Sequence, residues 1–373
     1  MMKLYNSLSR KLEEFIPQKA NNVSLYVCGI TPYDTTHLGH AFNYIWFDVL
    51  VRYLTFKGYK VTYTQNVTDI NDRDNDLLKR AQEQKISWRD LSDFWTNKFL
   101  GDMKALNWTM PVNYLKASEN IGHMISLIQK LINNGYAYSK NGSAYFDIKR
   151  KKDYGKLSGL GKIEMQKIAR EFEEDVDNSD KKSPLDFTLW KASSINQPDH
   201  IPSFESPFGL GRPGWHIECS AMATLTLGDQ IDIHGGGIDL IYPHHEAEIA
   251  ESEGATLKIP FARNWMHVAL VSYQGKKMAK SLGNLVMISD LRRKFSANAI
   301  RFVLLSHHYR ESWEFDESKL YEAEKILGKL KNAGDDSLEL NKFINFMDND
   351  LQANLVLKNP KSRTILKILG FKQ

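Results

Sequence analysis

A strand, a loop, a long apolar helix and a second strand follow one another near the start of the chain, and this order most constrains the fold. Residues 23 to 27 (VSLYV) are predicted to form a short buried strand. Residues 41 to 58 predict a helix that is apolar nearly all round and stops at Gly58. Residues 60 to 66 alternate like a second strand. This βαβ unit predicts a parallel sheet with a right-handed crossover.

A second set of strand and helix patterns begins near Ser206. QIDIHGGG predicts a strand and a glycine turn, PHHEAEIAESEGAT a helix, and ARNWMHVALVSY a further strand. Residues 86 to 135 have a helical pattern, and the pattern from residue 288 onward is again helical. We therefore predict an α/β fold in which a Rossmann-type parallel sheet is split by an insertion and followed by a helical C-terminal domain. The predicted divisions are 1–135, 136–205 (the insertion), 206–287 and 288–373.

The composition of this 373-residue chain limits its possible cellular compartment and partners. Its formal net charge of +4 permits a polyanionic partner without requiring one. Its two cysteines lie far apart in sequence, which argues against a disulfide framework. The first residues have no apolar run typical of a signal peptide, and no segment is apolar enough to span a bilayer. We therefore expect a cytoplasmic protein with no membrane partner.

His37, Leu38, Gly39 and His40 stand between the first strand and the long helix. The start of a helix offers free N–H groups and a partial positive charge, glycine lets the backbone approach closely, and imidazoles can donate hydrogen bonds to phosphate oxygens. The motif predicts a phosphate site beyond the carboxyl end of the strand. Two histidines on a polar surface loop are the simpler alternative.

A basic loop, Lys277-Met278-Ala279-Lys280-Ser281, lies between two glycines. Such a loop can close and place Lys277 and Lys280 on a triphosphate. Their charges would then stabilise the α-phosphate under attack. A solvated basic turn is the alternative.

Cys28, Cys219, His244 and Glu248 form a third candidate site. His244 and Glu248 are four residues apart and share one helix face, whereas His245 is paired at that spacing with a residue that cannot ligate. Two thiolates, an imidazole and a carboxylate suit tetrahedral zinc. A soft thiolate binds zinc better than a hydroxyl, so such a site could separate cysteine from serine. A structural zinc site, or buried thiols without metal, are the alternatives.

The first two motifs together resemble the HIGH and KMSKS signatures of class I aminoacyl-tRNA synthetases, with Ala279 where that class usually has serine. VCGITPYDTTHLGHA, QNVTDINDRD, PLDFTLWKA, GRPGWHIECSAM, DIHGGGIDLIYPHHEAEIAESE and KMAKSLGN resemble, in order, the sequence blocks of cysteinyl-tRNA synthetases. The resemblance covers roughly residues 3 to 310. It implies that one Zn²⁺ per chain is held by Cys28, Cys219, His244 and Glu248.

The resemblance further implies a monomer that activates L-cysteine with ATP and Mg²⁺, and in the synthetase the cysteine is then transferred to tRNA(Cys). It assigns the charge-stabilising roles to His37, His40, Lys277 and Lys280. It also implies an adenylate pocket in which Trp215 covers the cysteine side chain. The residues expected around that pocket are Thr31, Gly39, Asn66, Val67, Thr68, Trp215, Gly237, Asp239 and Lys280.

The final acceptor of the cysteine stays open at this point. The spelling CGITPYDTTHLGHA and the short helical tail resemble the mycothiol cysteine ligase, which would transfer cysteine to the amine of glucosaminyl-inositol. LYNSLSRKLEEF and GGGIDLIYPHHEAEIAESE favour the synthetase, in a minimal form without a full anticodon-binding domain. An inactive paralogue that only binds tRNA is a third possibility, and the intact histidines, lysines and zinc set argue against it.

Overall fold

A five-stranded parallel sheet lies at the centre of the computed structural model, which describes residues 1–33, 35–194, 197–198, 200–278, 282–330 and 337–372. The strands of the described residues are β1 (Lys3–Asn6), β2 (Lys11–Glu14), β3 (Asn22–Ile30), β4 (Lys60–Val67), β5 (Asn113–Lys116), β6 (Ala137–Lys140), β7 (Ser143–Phe146), β8 (Phe187–Ala192), β9 (Gly211–Pro213), β10 (Ile231–Gly237), β11 (Ala262–Val268), β12 (Val271–Tyr273), β13 (Lys276–Lys277) and β14 (Trp313–Glu314). The helices are α1 (Leu38–Phe56), α2 (Leu77–Gln84), α3 (Trp88–Ala105), α4 (Ile121–Asn133), α5 (Lys162–Glu171), α6 (Trp215–Leu227), α7 (Glu246–Thr256), α8 (Ile288–Lys294), α9 (Ala297–Leu305), α10 (Ser318–Lys329), α11 (Ser337–Met347), α12 (Ala353–Leu357) and α13 (Arg363–Ile368).

The central sheet has the strand order β11–β10–β3–β4–β5, and each neighbouring pair is parallel. Chain order therefore reverses between β3 and β10, which is the switch point of a Rossmann-type sheet. Ligands bind such sheets beyond the carboxyl ends of the strands at this point. The predicted fold class is confirmed, and the geometry directs attention to the ends of β3 and β10.

Helix α1 is buried on nearly every side, which explains why its sequence is apolar nearly all round. One face packs on the sheet, and other side chains contact α9 and α13 from the C-terminal region. Trp46, Phe47 and Tyr53 of α1 are fully buried in the larger apolar core. Burial of a large apolar side chain stabilises the folded state by about 1.5–3 kcal/mol. The helix ends as predicted, with Gly58 at a φ of +90° just beyond it.

The opposite side of the sheet carries α4, α6 and α7 over a second apolar core. A four-stranded antiparallel sheet, β6–β7–β8–β9, lies between β5 and α6 in sequence. Its last strand, β9, lies wholly beyond residue 205, the predicted end of the insertion. The domain divisions given above stay predictions.

Several local predictions were wrong. The glycines predicted to form a turn after QIDIH belong to β10, and the segment predicted as helical from residue 288 onward contains the short strand β14. Residues 262 to 273 form two strands in different sheets, because the chain leaves the parallel sheet after Val268, and β12 pairs with β13 and β14. The segment predicted as helical from residue 86 to 135 contains strand β5, which pairs with β4. All four residues of β5 are half-buried, so this edge strand has no alternating pattern.

A buried ion network ties α1 to the C-terminal helices. Asp48 of α1 is paired with Arg301 of α9 and with Arg52, and the Asp48 and Arg301 side chains are 0% and 1% exposed. Arg301 Nε also donates to the carbonyl oxygen of Leu369 at 2.7 Å, and its Nη1 to that of Leu106 at 2.9 Å. The network joins four separate segments of the chain: α1, α9 and the residues that follow α3 and α13.

The first strand also contacts the C-terminal region. Lys3 N donates to Asp348 O at 2.7 Å, and Asp350 N donates to Lys3 O at 3.0 Å. Tyr5 N donates to Asp350 Oδ1 at 2.9 Å. On its other side, this segment runs alongside β11, and Ser7 N donates to Trp265 O of that strand at 2.9 Å. Strand β1 therefore lies between β11 and the turn after α11.

Among the described helices, none combines the length and the apolar character that crossing a membrane requires.

Candidate active site and metal centre

A cavity of about 370 Å³ opens at the carboxyl ends of β3 and β10. Most of the residues predicted to form the site lie on its wall. They are Cys28, Thr31, His37, Gly39, His40, Thr68, Trp215, Cys219, Gly237, Asp239, His244 and Lys277. The cavity therefore brings the histidine motif, the basic loop and the cysteine-rich cluster together at the switch point of the sheet.

The histidine motif forms the first turn of α1. His37 is the N-cap, and its Nδ1 accepts hydrogen bonds from Gly39 N at 3.1 Å and His40 N at 3.4 Å. Because Nδ1 accepts, a neutral His37 carries its proton on Nε2. The His40 ring stacks on the His37 ring with centroids 3.7 Å apart. The motif thus presents a neutral N–H donor together with the positive end of a helix.

The pKa of His37 gives a direct test of this arrangement. Burial lowers it from 6.5 to about 4, while Asp239 raises it and Lys277 lowers it further. An unfolded His37 binds its proton near pH 6.5, so its contribution to stability is complete above that pH and is lost as the pH falls towards 4. We expect the His37 Cε1–H resonance, assigned with His37→Asn, to titrate with a midpoint near 4 in NMR spectra. A midpoint at the ordinary value of about 6.5 would contradict the buried, neutral cap.

The four predicted metal ligands converge in one cluster, with three of them on the cavity wall and Glu248 behind it. Cys28 Sγ lies 3.2 Å from Glu248 Oε1, and His244 Nε2 lies 3.3 Å from Cys219 Sγ and 3.2 Å from Glu248 Oε1. All four ligand atoms lie within 4.8 Å of one another, and all four residues are buried. Cys28 comes from the end of β3, Cys219 from the first turns of α6, His244 from the turn before α7 and Glu248 from α7 itself.

This donor set fits a zinc ion. Zinc bonds of about 2.0–2.3 Å place tetrahedral ligands about 3.3–3.8 Å apart, close to the separations observed here. Burial raises the pKa of both thiols and raises that of Glu248 to about 8. A bound cation would offset the cost of burying three groups that become anionic. The buried cluster could therefore hold a metal.

Trp215 and Gly29 shape the cavity around this cluster. The Trp215 ring stacks on the His244 ring at 4.2 Å with an angle of 16° between the planes. Gly29 N donates to Asn66 Oδ1 at 2.7 Å, and a Cβ at Gly29 would lie 1.6 Å from Asn66 O. Any side chain at Gly29 would therefore force β3 and β4 apart at the cavity floor.

Three predicted site residues lie behind the wall instead of on it. Asn66 donates to Thr68 Oγ1 at 3.1 Å and so supports a residue that does line the cavity. Val67 is fully buried in the larger apolar core. Glu248 lies beneath Cys28 and His244.

The basic loop is only partly described. Lys277 Nζ forms an ion pair with Asp239 Oδ2 at 2.9 Å, across the mouth of the cavity. Lys280 and Ala279 lie outside the described residues. The roles predicted for Lys277 and Lys280 stay predictions.

Sequence reasoning missed several histidines around the cluster. His234 Nε2 lies 2.9 Å from Glu248 Oε2, and His245, set aside because of its spacing to residue 249, lies 3.9 Å from Glu248 Oε1. Cys28, His234, His245 and Glu248 form a second close set. Behind it, His245 Nδ1 lies 2.8 Å from His267 Nε2. Helix α7 begins only at Glu246, so the pattern of a continuous helix did not reveal these neighbours.

The fold has a known counterpart among solved structures. Methionyl-tRNA synthetase of Mycobacterium tuberculosis, in complex with methionyl-adenylate, matches 94% of this chain and 82% of its own chain with a TM-score of 0.65 and 14% identity. At this identity the likeness shows the fold alone. The family model for the class I (C) tRNA synthetase catalytic domain matches residues 14–325. Fold and site together thus define a class I aminoacyl-tRNA synthetase catalytic domain.

Relatives with similar sequences indicate which family of this class the chain belongs to. The cysteine–tRNA ligase of Desulforamulus reducens is 46% identical over 332 residues, which are 89% of this chain and 66% of the relative. That of Dehalococcoides mccartyi strain BAV1 is 44% identical over 370 residues, 95% of this chain and 78% of the relative. The chain spans just under two thirds of the first relative's length and more of the second's. The chain belongs to the cysteine–tRNA ligase family.

Proposed function

We propose that this chain activates L-cysteine with ATP as cysteinyl-adenylate and transfers the cysteine to tRNA(Cys). The observation that carries the proposal is the meeting, in one cavity, of a buried thiol, imidazole and carboxylate cluster with the helix start that holds His37 and His40. The first suits a thiol substrate and the second suits a nucleotide phosphate. Membership in the cysteine–tRNA ligase family supports the same activity.

The chemistry follows from these two ends of the cavity. A cysteine carboxylate oxygen attacks the α-phosphorus of ATP, the bond from that phosphorus to the bridging oxygen breaks, and pyrophosphate leaves with Mg²⁺. His37 Nε2–H and His40 hold the phosphate oxygens at the positive end of α1. Lys277 and Lys280 stabilise the added negative charge. A hydroxyl at the 3′ end of tRNA then attacks the acyl carbon, and AMP leaves. No side chain acts as a covalent nucleophile.

Discrimination is proposed to arise at the metal cluster. Zn²⁺ held by Cys28, Cys219, His244 and Glu248 would bind the substrate thiolate and lower its pKa. Trp215, stacked on His244 at the cavity wall, would cover the bound side chain. Serine offers only a hydroxyl, a far weaker zinc ligand than a thiolate. Cysteine is then separated from serine by ligand chemistry, where shape alone gives only a modest ratio.

The cellular location and the oligomeric state are proposed from the same family resemblance. We propose that the protein works in the cytoplasm as a monomer. The two halves of the Rossmann-type sheet would bind cysteine and ATP in the cavity at their carboxyl ends. The formal net charge of +4 is compatible with a polyanionic partner.

The acceptor is tested directly by supplying labelled cysteine and ATP with either tRNA or glucosaminyl-inositol. We expect label on acid-precipitable tRNA at a rate well above that of a tube without ATP. Label on the amino sugar alone would replace this proposal with the amino-sugar ligase. Exchange of pyrophosphate into ATP that does not depend on cysteine, or no exchange at all, would reject cysteine activation itself.

A further inference from the structure

A hydrogen-bonded relay runs from the metal cluster to the antiparallel-sheet segment. His244 directs Nε2 at Cys219 and Glu248, and its Nδ1 lies 2.9 Å from Nδ1 of His216. His216 Nε2 in turn lies 3.0 Å from Glu174 Oε1. The His216 and Glu174 side chains are 1% and 9% exposed, so little water competes for these bonds. The relay spans three segments that are distant in sequence.

The end of the relay determines where each proton lies. An ionised carboxylate can only accept, so His216 Nε2 carries a proton. A neutral His216 then has a lone pair on Nδ1, and His244 Nδ1 must donate to it. This leaves His244 Nε2 without a proton, which is the form that a metal ligand requires.

The turn that carries Glu174 is itself well fixed. Glu174 N donates to Ala169 O of α5 at 2.9 Å, and Glu173 before it has a φ of +62°. Phe172 in the same turn stacks on Trp215 with an angle of 12° between the rings, and Trp215 stacks on His244. The turn thus supports His244 in two ways. Trp215 packs on the face of the His244 ring, and His216 contacts its Nδ1 atom.

We propose that Glu174 and His216 are positioning residues, which hold His244 in the tautomer and orientation that leave Nε2 free to bind the metal. This inference rests on the metal centre of the proposed function. It adds that a carboxylate from the turn after α5, 70 residues before His244 in the chain, tunes that centre. The side chain of Glu174 acts only through His216 and touches neither the substrate nor the metal.

The test compares zinc affinity in Glu174→Gln and Glu171→Gln by competition with a chromophoric chelator. A glutamine amide can donate to His216 and reverse the relay, so we expect Glu174→Gln to weaken zinc binding by about 10–100-fold, the usual effect of removing such a partner. Glu171 is exposed in the same region and provides a matched loss of charge. We expect Glu171→Gln to bind zinc like the unmodified protein.

A spectroscopic measurement separates positioning from a general loss of structure. In ¹⁵N-histidine spectra of the zinc-loaded, unmodified protein, we expect a proton on His244 Nδ1 and none on His216 Nδ1. A proton on His216 Nδ1, or Glu174→Gln affinity within about twofold of the unmodified protein, would overturn the relay while leaving the metal centre intact. Failure of the unmodified protein to bind zinc would instead reject the metal centre, and the inference with it.

Discussion

Replacing Cys219 by serine is expected to abolish zinc binding and cysteine-dependent pyrophosphate exchange together. The Cys219 thiol lies 3.3 Å from His244 Nε2 in a fully buried cluster, and a hydroxyl is a much weaker ligand for zinc than a thiolate. Loss of a direct ligand should exceed the effect of losing a supporting partner, so we expect zinc affinity to fall by more than about 100-fold. Bound metal is measured by elemental analysis after gel filtration. Exchange is measured by the incorporation of labelled pyrophosphate into ATP.

The matched control is Ala221→Ser. Ala221 lies two residues further along α6 and is 2% exposed, so the substitution adds a hydroxyl to the same buried helix without touching the cluster. We expect Ala221→Ser to keep its zinc and its exchange activity. A Cys219→Ser protein that exchanges pyrophosphate at the normal rate without metal would refute the role proposed for the cluster.

Replacing Asp48 by alanine is expected to destabilise the fold by about 3–5 kcal/mol, because it leaves Arg301 buried without its counter-charge. Arg301 is 1% exposed, and Asp48 also accepts from Thr109 N at 2.8 Å, so several bonds are lost at once. The free energy of unfolding is measured in urea. The control is Glu322→Ala, which breaks an exposed pair with Lys319 and should cost about 0–1 kcal/mol.

The pH dependence of stability supplies a second check on Asp48. Burial acts to raise the pKa of this carboxyl, but Arg301 and Arg52 hold it below its ordinary value. The stabilisation is therefore present above the ordinary pKa and is lost as the pH falls through the lowered one. The difference in unfolding free energy between the unmodified protein and Asp48→Ala should shrink at acid pH. A difference below about 1 kcal/mol at neutral pH would contradict the network's role.

Much of the parallel sheet was accessible from sequence because its strands and α1 have strong apolar patterns. Strand β5 was missed because its four residues are all half-buried at an edge, and the break after Val268 was missed because the apolar run continues across it. Periodicity describes the faces of a single element. It does not show when the chain moves from one sheet to another.

The site was predictable to the extent that its residues belong to ordered motifs. The relay was not, because Glu174 and His216 lie 42 residues apart in the chain and meet only when the turn after α5 packs on α6. A charged stretch such as EFEEDVDNSDKK offers many carboxylates, and only the fold selects Glu174 among them. His245 was set aside by the spacing of an ideal helix, whereas the turn before α7 is not an ideal helix.

The position of β1 has a consequence for how the chain folds as it leaves the ribosome. Lys3 is synthesised long before Asp348 and Asp350, with which its backbone is hydrogen-bonded. At about 5–20 residues per second, roughly 20 to 70 s pass before these partners emerge. During that time β1 can pair with β2, but its other backbone bonds wait. Docking of the turn after α11 onto β1 therefore cannot occur until long after β1 has been synthesised.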